Sequence, residues 1–331
     1  MRRALIASAL LAGMTACAPL RRGATYDEQI WLPASHNWTF RAAYPSVDRL
    51  FNAFDYGHAR VYDRLARRAP AADIERADYD WITTRLLRHP PSVPLDEAAI
   101  GPAYVRLAPE LRAAFEWAHM LHRQLYDVCA DARLTPAQRD AAAAAVLRYY
   151  RSRPDLALST VPKRMGLMES GPHALGFRRA HPRYNGLLWS YHWLQMTLYD
   201  ALLAGGSRAE RDANVRAVTA RFFAMLDDAP RTTPADMPMA AAIAPAFAAR
   251  YPEAAIVFDN LHALHDVVAD ILAAPGVPDA ERRRLLLGAL TAYRDDVTQA
   301  TTVAEWRDMA EMMDLARMGG AARDAFGARR P

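Results

Sequence analysis

The stretch Phe258-Asp259-Asn260-Leu261-His262-Ala263-Leu264-His265-Asp266-Val267-Val268-Ala269-Asp270-Ile271-Leu272 decides how this chain is read. Phe258, Leu261, His265, Val268 and Leu272 recur at helical spacing, so an apolar helix face carries an imidazole within it. Related phrases stand at Phe54-Asp55-Tyr56-Gly57-His58, Phe115-Glu116-Trp117-Ala118-His119 and Trp189-Ser190-Tyr191-His192. Each again lies on a helical stripe, respectively through Leu50, Val61 and Leu65, through Leu111, His122, Leu125 and Cys129, and through Leu188, Gln195, Tyr199 and Leu203. Alternating β-branched runs, the mark of strands, are missing. The expected fold is all-α, a multi-helix bundle of about nine or ten helices forming a single large domain over 46–318.

Punctuation sets the expected boundaries. Helices are predicted from Ser46 to about Arg68, from Ala71 to Leu87 before the His89-Pro90-Pro91 turn, and, after a loop to about Leu107, through Cys129. Thr135-Pro136 with Gln138, Ser207 with Glu210, and Thr302 with Glu305 have the capping-box pattern that opens a helix. Further helices are expected from Arg183 to Gly205, near 234–249, over 252–273, 279–300 and 302–317, with residues 319–331 a frayed tail. Residues 154–182 read as an irregular loop, with Glu169 to His173 expected to limit access to a site. No solenoid period of the TPR or HEAT type is visible.

The imidazoles carry the chemistry. Residues three apart share a helical face, so Asp55 with His58, Glu116 with His119, and Asp259 with His262 each offer a carboxylate and an imidazole to one point. His122, His192 and His265 extend the same faces. Polar groups aimed at a core need partners, because an unpaired one costs on the order of 1–3 kcal/mol, and a shared metal ion satisfies several at once. The nine-residue set Asp55, His58, Glu116, His119, His122, His192, Asp259, His262 and His265 is therefore the expected metal site. Asp63, Asp127, Asp200 and Asp266 are expected as acceptors for the ring N–H groups. Acid-x-x-His on several helices resembles the ligand set of ferritin-like di-iron and di-manganese bundles. That resemblance implies iron or manganese, while the excess of imidazoles suits zinc or copper as well.

The N-terminus gives an address. Arg2 and Arg3, the apolar run Ala4 to Met14 and the small residues before Cys17 read as a signal peptide over 1–16, too short to span a bilayer. Met14-Thr15-Ala16-Cys17 resembles the cleavage site of a bacterial lipoprotein, which implies lipidation at Cys17 and a tether over 17–45. Ala18 after that cysteine, where inner-membrane retention often uses aspartate, favours the periplasmic face of an outer membrane in a diderm cell. Trp31, Trp38 and Phe40 in the tether are expected to pack on the body.

Composition narrows the rest. The net charge of +4, two units of it on Arg2 and Arg3, is too weak and too scattered for a nucleic-acid platform. With Cys17 lipidated, Cys129 has no partner, so disulfides do not staple the domain. No G-x-S-x-G, P-loop, G-x-G-x-x-G, H-E-x-x-H or C-x-x-C-H occurs, which removes the common hydrolase, nucleotide, zincin and c-type haem readings. The expected function is that of a cell-envelope lipoprotein with a His/Asp/Glu-lined site for iron, copper, manganese or zinc, for redox or oxygen chemistry on a small-molecule ligand. The alternative is a non-catalytic binding or scaffold module whose histidines form a buried hydrogen-bond network.

Overall fold

The structure, a computed structural model, describes residues 39–327. The expected signal peptide, Cys17, Trp31 and Trp38 lie outside the described residues. Within them the chain forms seventeen α-helical segments, and its sole β pairing is an isolated bridge between Lys163 and Ala300. The buried apolar side chains, from Phe40 to Met318, make one contiguous cluster. No helix among the described residues is long and apolar enough to cross a membrane.

Four long helices form the inside: α1 (Pro45–Ala66), α2 (Pro109–Ala130), α3 (Pro182–Ala204) and α4 (Pro252–Ala273). Each opens on a proline, whose ring forbids helical backbone at the residue before it. Tyr44, Ala108, His181 and Tyr251 accordingly share one bent conformation, with φ of −134°, −145°, −135° and −130° and ψ between 56° and 70°. A short helix precedes each bend, at Thr39–Ala43, Pro102–Leu107, Gly176–Ala180 and Pro245–Arg250. Each carries a buried aromatic ring five residues before the proline: Phe40, Tyr104, Phe177 and Phe247. α1 packs against α3 and α4, and so does α2. Helices Pro136–Arg151, Arg208–Met225 and Asp279–Arg294 cover α2, α3 and α4 from outside, each burying a single stripe.

The chain is thus built from four related units whose opening prolines stand 64, 73 and 70 residues apart. That spacing is too long and too uneven to register as a TPR or HEAT period. Aspartates eighteen residues after each proline lock the units in pairs. Asp63 of α1 accepts the Ala103 N–H at 2.6 Å, and Asp127 of α2 accepts the Phe40 N–H at 2.7 Å. Asp200 of α3 accepts from Ala246 and Phe247, and Asp270 of α4 from Leu175 and Phe177. Each carboxylate sits at the N-terminus of the short helix of another unit, where free N–H groups and the helix dipole favour negative charge. The contacts pair off as an internal twofold would arrange them, exchanging α1 with α2 and α3 with α4.

Several boundaries differ from the sequence reading. Pro245 splits the helix expected near 234–249 into Ala240–Ile243 and Pro245–Arg250. Asp295 accepts from the N–H groups of Val297 and Thr298, turning the chain where 279–300 was expected to continue. Thr302 caps a helix that ends at Met312, not near 317. The helix expected over 71–87 winds partly with wide i→i+5 turns, at Asp73–Asp78 and Ile82–Leu86, which keeps Ile74 and Ile82 on the buried side. The three capping boxes form as read.

The described part of the expected frayed tail is packed. Gly319 and Gly320, at φ of +94° and +82°, let their carbonyls reach Arg221 and the Trp193 indole, and a Cβ on Gly319 would meet Trp193 at 2.9 Å. Helix Ala322–Phe326 then lies on α3 and on Arg208–Met225.

Asp→Ala at 63, 127, 200 or 270 is expected to cost about 1–2 kcal/mol each, as for lost helix caps, lowering the thermal midpoint by roughly 2–6 °C. The exposed Asp80→Ala control should stay within about 0.5 kcal/mol, and calorimetry of the five variants checks the ranking.

Candidate metal centre

The repeated units set the heights of the histidines. Ten residues after each opening proline stand Asp55, His119, His192 and His262, and thirteen after it His58, His122, Gln195 and His265. The two positions face the same way on each helix, and the packing of α1 to α4 turns all four faces inward. One ring nitrogen each of His58, His192 and His265 lies within 4.8 Å of the others, and all three residues are buried. Their ring centroids stand 4.5–5.6 Å apart. His262 stacks on His192 at 3.9 Å, and His122 lies 5.9 Å from His262.

Hydrogen bonds fix two of these five rings. His58 Nδ1 is 2.9 Å from the Phe54 carbonyl, so it bears the proton and leaves the Nε2 lone pair inward. His122 Nδ1 is 3.0 Å from the Tyr199 hydroxyl, which donates its own proton to the His122 carbonyl. Eight of the ten ring nitrogens in these five residues are buried with no hydrogen-bond partner. As neutral imidazoles the rings present five unpaired lone pairs and three N–H donors. At about 1–3 kcal/mol each, the total is comparable with the whole stability of a folded domain, roughly 5–15 kcal/mol. A cation shared by the lone pairs would offset much of that cost.

Burial also sets the protonation. Desolvation, then the nearby His119, pushes His58 down to about 4. His122, His192, His262 and His265 lie well below the ordinary histidine value, first through burial and then through neighbouring histidines, His262 for His122 and His192, and His58 for His262 and His265. Neutral rings are the form that ligates metal.

The acids of the expected set do not join this centre. Asp259 accepts the Ala240 N–H and the Trp306 indole N–H, both at 2.8 Å, and so caps Ala240–Ile243. Glu116 pairs with Arg112, and Asp55 with Arg123 and, at 3.5 Å, with His119. His119, whose ring is 5.5 Å from His265, also lines a small pocket with Asp55, Pro94, Leu95, Glu97 and Glu116. The carboxylates of a ferritin-like set are therefore spent on caps and arginine pairs, leaving a centre of imidazoles.

The expected ring acceptors are corrected for the same reason. Asp63, Asp127 and Asp200 cap helices, and Asp266 accepts from the Trp189 indole. Asp270, absent from the expected set, completes the pattern, and its signal was the constant offset from the helix-opening prolines. The Glu169–His173 segment does not gate the histidines. Gly171, Pro172 and His173 line, with Val267, Ile271, Leu285 and Tyr293, a separate apolar groove of about 270 Å³. Cys129 is buried, and desolvation pushes its thiol up to about 12, which disfavours the reactive thiolate.

No protein-family model matches this chain, and neither a curated protein nor a solved structure matches it.

Desolvation raises the Asp259 carboxyl to about 7, tempered by its two N–H donors. Its folded form keeps a proton that the unfolded chain loses above about pH 4, so its contribution to stability is full below that pH and declines as pH rises to about 7. The buried imidazoles act oppositely: their contribution is full above about pH 6.5 and is lost as pH falls towards about 4. In metal-free protein, NMR should show the Asp259 carboxyl titrating near pH 7 and the rings of His192, His262 and His265 unchanged from pH 8 to 5. A ring titrating near its ordinary value would mean that water reaches the centre.

Proposed function

We propose that this chain is a lipid-anchored cell-envelope metalloprotein in which His58, His192 and His265 hold a transition-metal ion used for redox or oxygen chemistry. The observation that carries the reading is the three buried imidazoles on three helices with ligand nitrogens within 4.8 Å. Three nitrogens bound at about 2.0–2.1 Å to one tetrahedral ion stand roughly 3.3 Å apart, so uptake needs a contraction of up to about 1.5 Å, within reach of small ring rotations. Imidazole donors suit copper, iron and zinc, whereas manganese favours the oxygen ligands that this centre lacks. Redox chemistry narrows the choice to copper or iron.

The residues around the ion have definable tasks. The Phe54 carbonyl orients His58, and second-shell bonds of this kind raise ligand basicity. Phe115 packs edge-on to His265 at 4.3 Å and Tyr191 lies 5.8 Å from His58, keeping bulk water out. The small pocket beside His119 has no room for a large substrate. The competing hydrogen-bonded network fits less well, because eight ring nitrogens lack the partners such a network needs.

Tag-free protein should carry stoichiometric copper or iron by elemental analysis, and His58→Ala, His192→Ala or His265→Ala should each remove it. Adding metal at a hundredfold excess over the dissociation constant of this centre should stabilise wild type by about 2.7 kcal/mol and stabilise these variants much less. A metal-free protein with the same thermal midpoint with and without copper, iron or zinc sinks the reading.

The anchor is tested separately. Cys17→Ser should abolish incorporation of a labelled fatty acid and release the protein from membranes, whereas retention of both would overturn lipid anchoring.

A further inference from the structure

The internal twofold carries the trihistidine set onto a second one. Exchanging α1 with α2 and α3 with α4 takes His58 to His122, His192 to His262 and His265 to Gln195. Several contacts follow the exchange. His58 and His192 stand 5.5 Å apart and tilted by 10°, and His122 and His262 stand 5.9 Å apart and tilted by 25°. Tyr62 donates its hydroxyl proton to the His265 carbonyl, and its mate Tyr126 donates to the Gln195 carbonyl. Each set has one ring held through Nδ1, His58 by Phe54 and His122 by Tyr199.

Counting lone pairs gives the same result by another route. Five buried imidazole lone pairs lack partners, and one ion on His58, His192 and His265 uses three. The remaining two belong to His122 and His262. We propose that His122 and His262, completed by the side-chain carbonyl of Gln195, hold a second divalent metal ion beside the first. The proposal rests on the reading of the first centre. The two positions adjoin, because His192 and His262, mates across the axis, stack at 3.9 Å. Gln195 makes them unequal: an amide oxygen is a weaker donor than imidazole, so the second ion binds less tightly and exchanges its third position with water or a small ligand more readily. A tight ion beside a loose one is a division of labour between holding and reacting.

Cobalt(II), titrated alone into metal-free full-length protein and followed by its visible absorption, reads both positions. Two equivalents are expected, one tight and one weak. His122→Phe, which keeps the ring volume, should remove the weak equivalent and leave the tight one. Gln195→His, which completes the second trihistidine set, should tighten the weak equivalent by at least about tenfold, a gain that misfolding cannot produce. A single equivalent lost in His58→Ala but insensitive to both His122→Phe and Gln195→His overturns the second site and leaves the first standing. No cobalt uptake overturns both.

Discussion

A buried aspartate holding the first N–H groups of another unit's helix is the interaction on which this molecule depends. Asp63, Asp127, Asp200 and Asp270 each bind backbone donors that no other group serves, in surroundings where a charge-assisted hydrogen bond is strong and a missing one expensive. Because these residues sit at one height on four helices, their bonds fix how far each helix slides along its neighbours. The histidines lie five and eight residues before them, so the same bonds set the level at which the rings meet. A slip of a single residue would rotate an imidazole by about 100° around its helix and out of the centre.

The centre itself is costly to the fold. Five neutral imidazoles packed among Phe54, Phe115, Tyr191 and Phe258 give up water and gain only two ring hydrogen bonds in return. Two consequences follow from that single fact. The rings stay unprotonated, and their lone pairs remain available to a cation. Solvation thus opposes the empty centre and favours the filled one, and the trans-unit caps supply the rigidity that keeps the rings from swinging out to solvent.

Much of this was legible in the sequence. Proline at the first turn, the capping boxes at Thr135, Ser207 and Thr302, and the 3.6-residue stripes specify local backbone states, and those states formed where they were read. The imidazoles were picked out because polar residues in an apolar stripe stand against the pattern. The acids depart from the pattern for a physical reason: an aspartate three residues from a histidine shares its face, but its carboxylate goes to whichever donor is nearest in space. For Asp259 those donors are Ala240 and Trp306, one on a preceding short helix and one on a following helix, and local spacing carries no information about either. The fourfold repeat lay in plain view as proline, histidine and aspartate at constant offsets, masked by unequal connections between units.

Sequence by itself determined the all-α class, the places where helices open and which histidines face inward, because these depend on backbone sterics and on periodicity within one helix. Only the tertiary structure decided which imidazoles share a centre, which carboxylates cap and which pair with arginine, and that the four units are joined two by two. Those outcomes depend on distances between groups far apart in the chain, and such distances are set by how the helices pack.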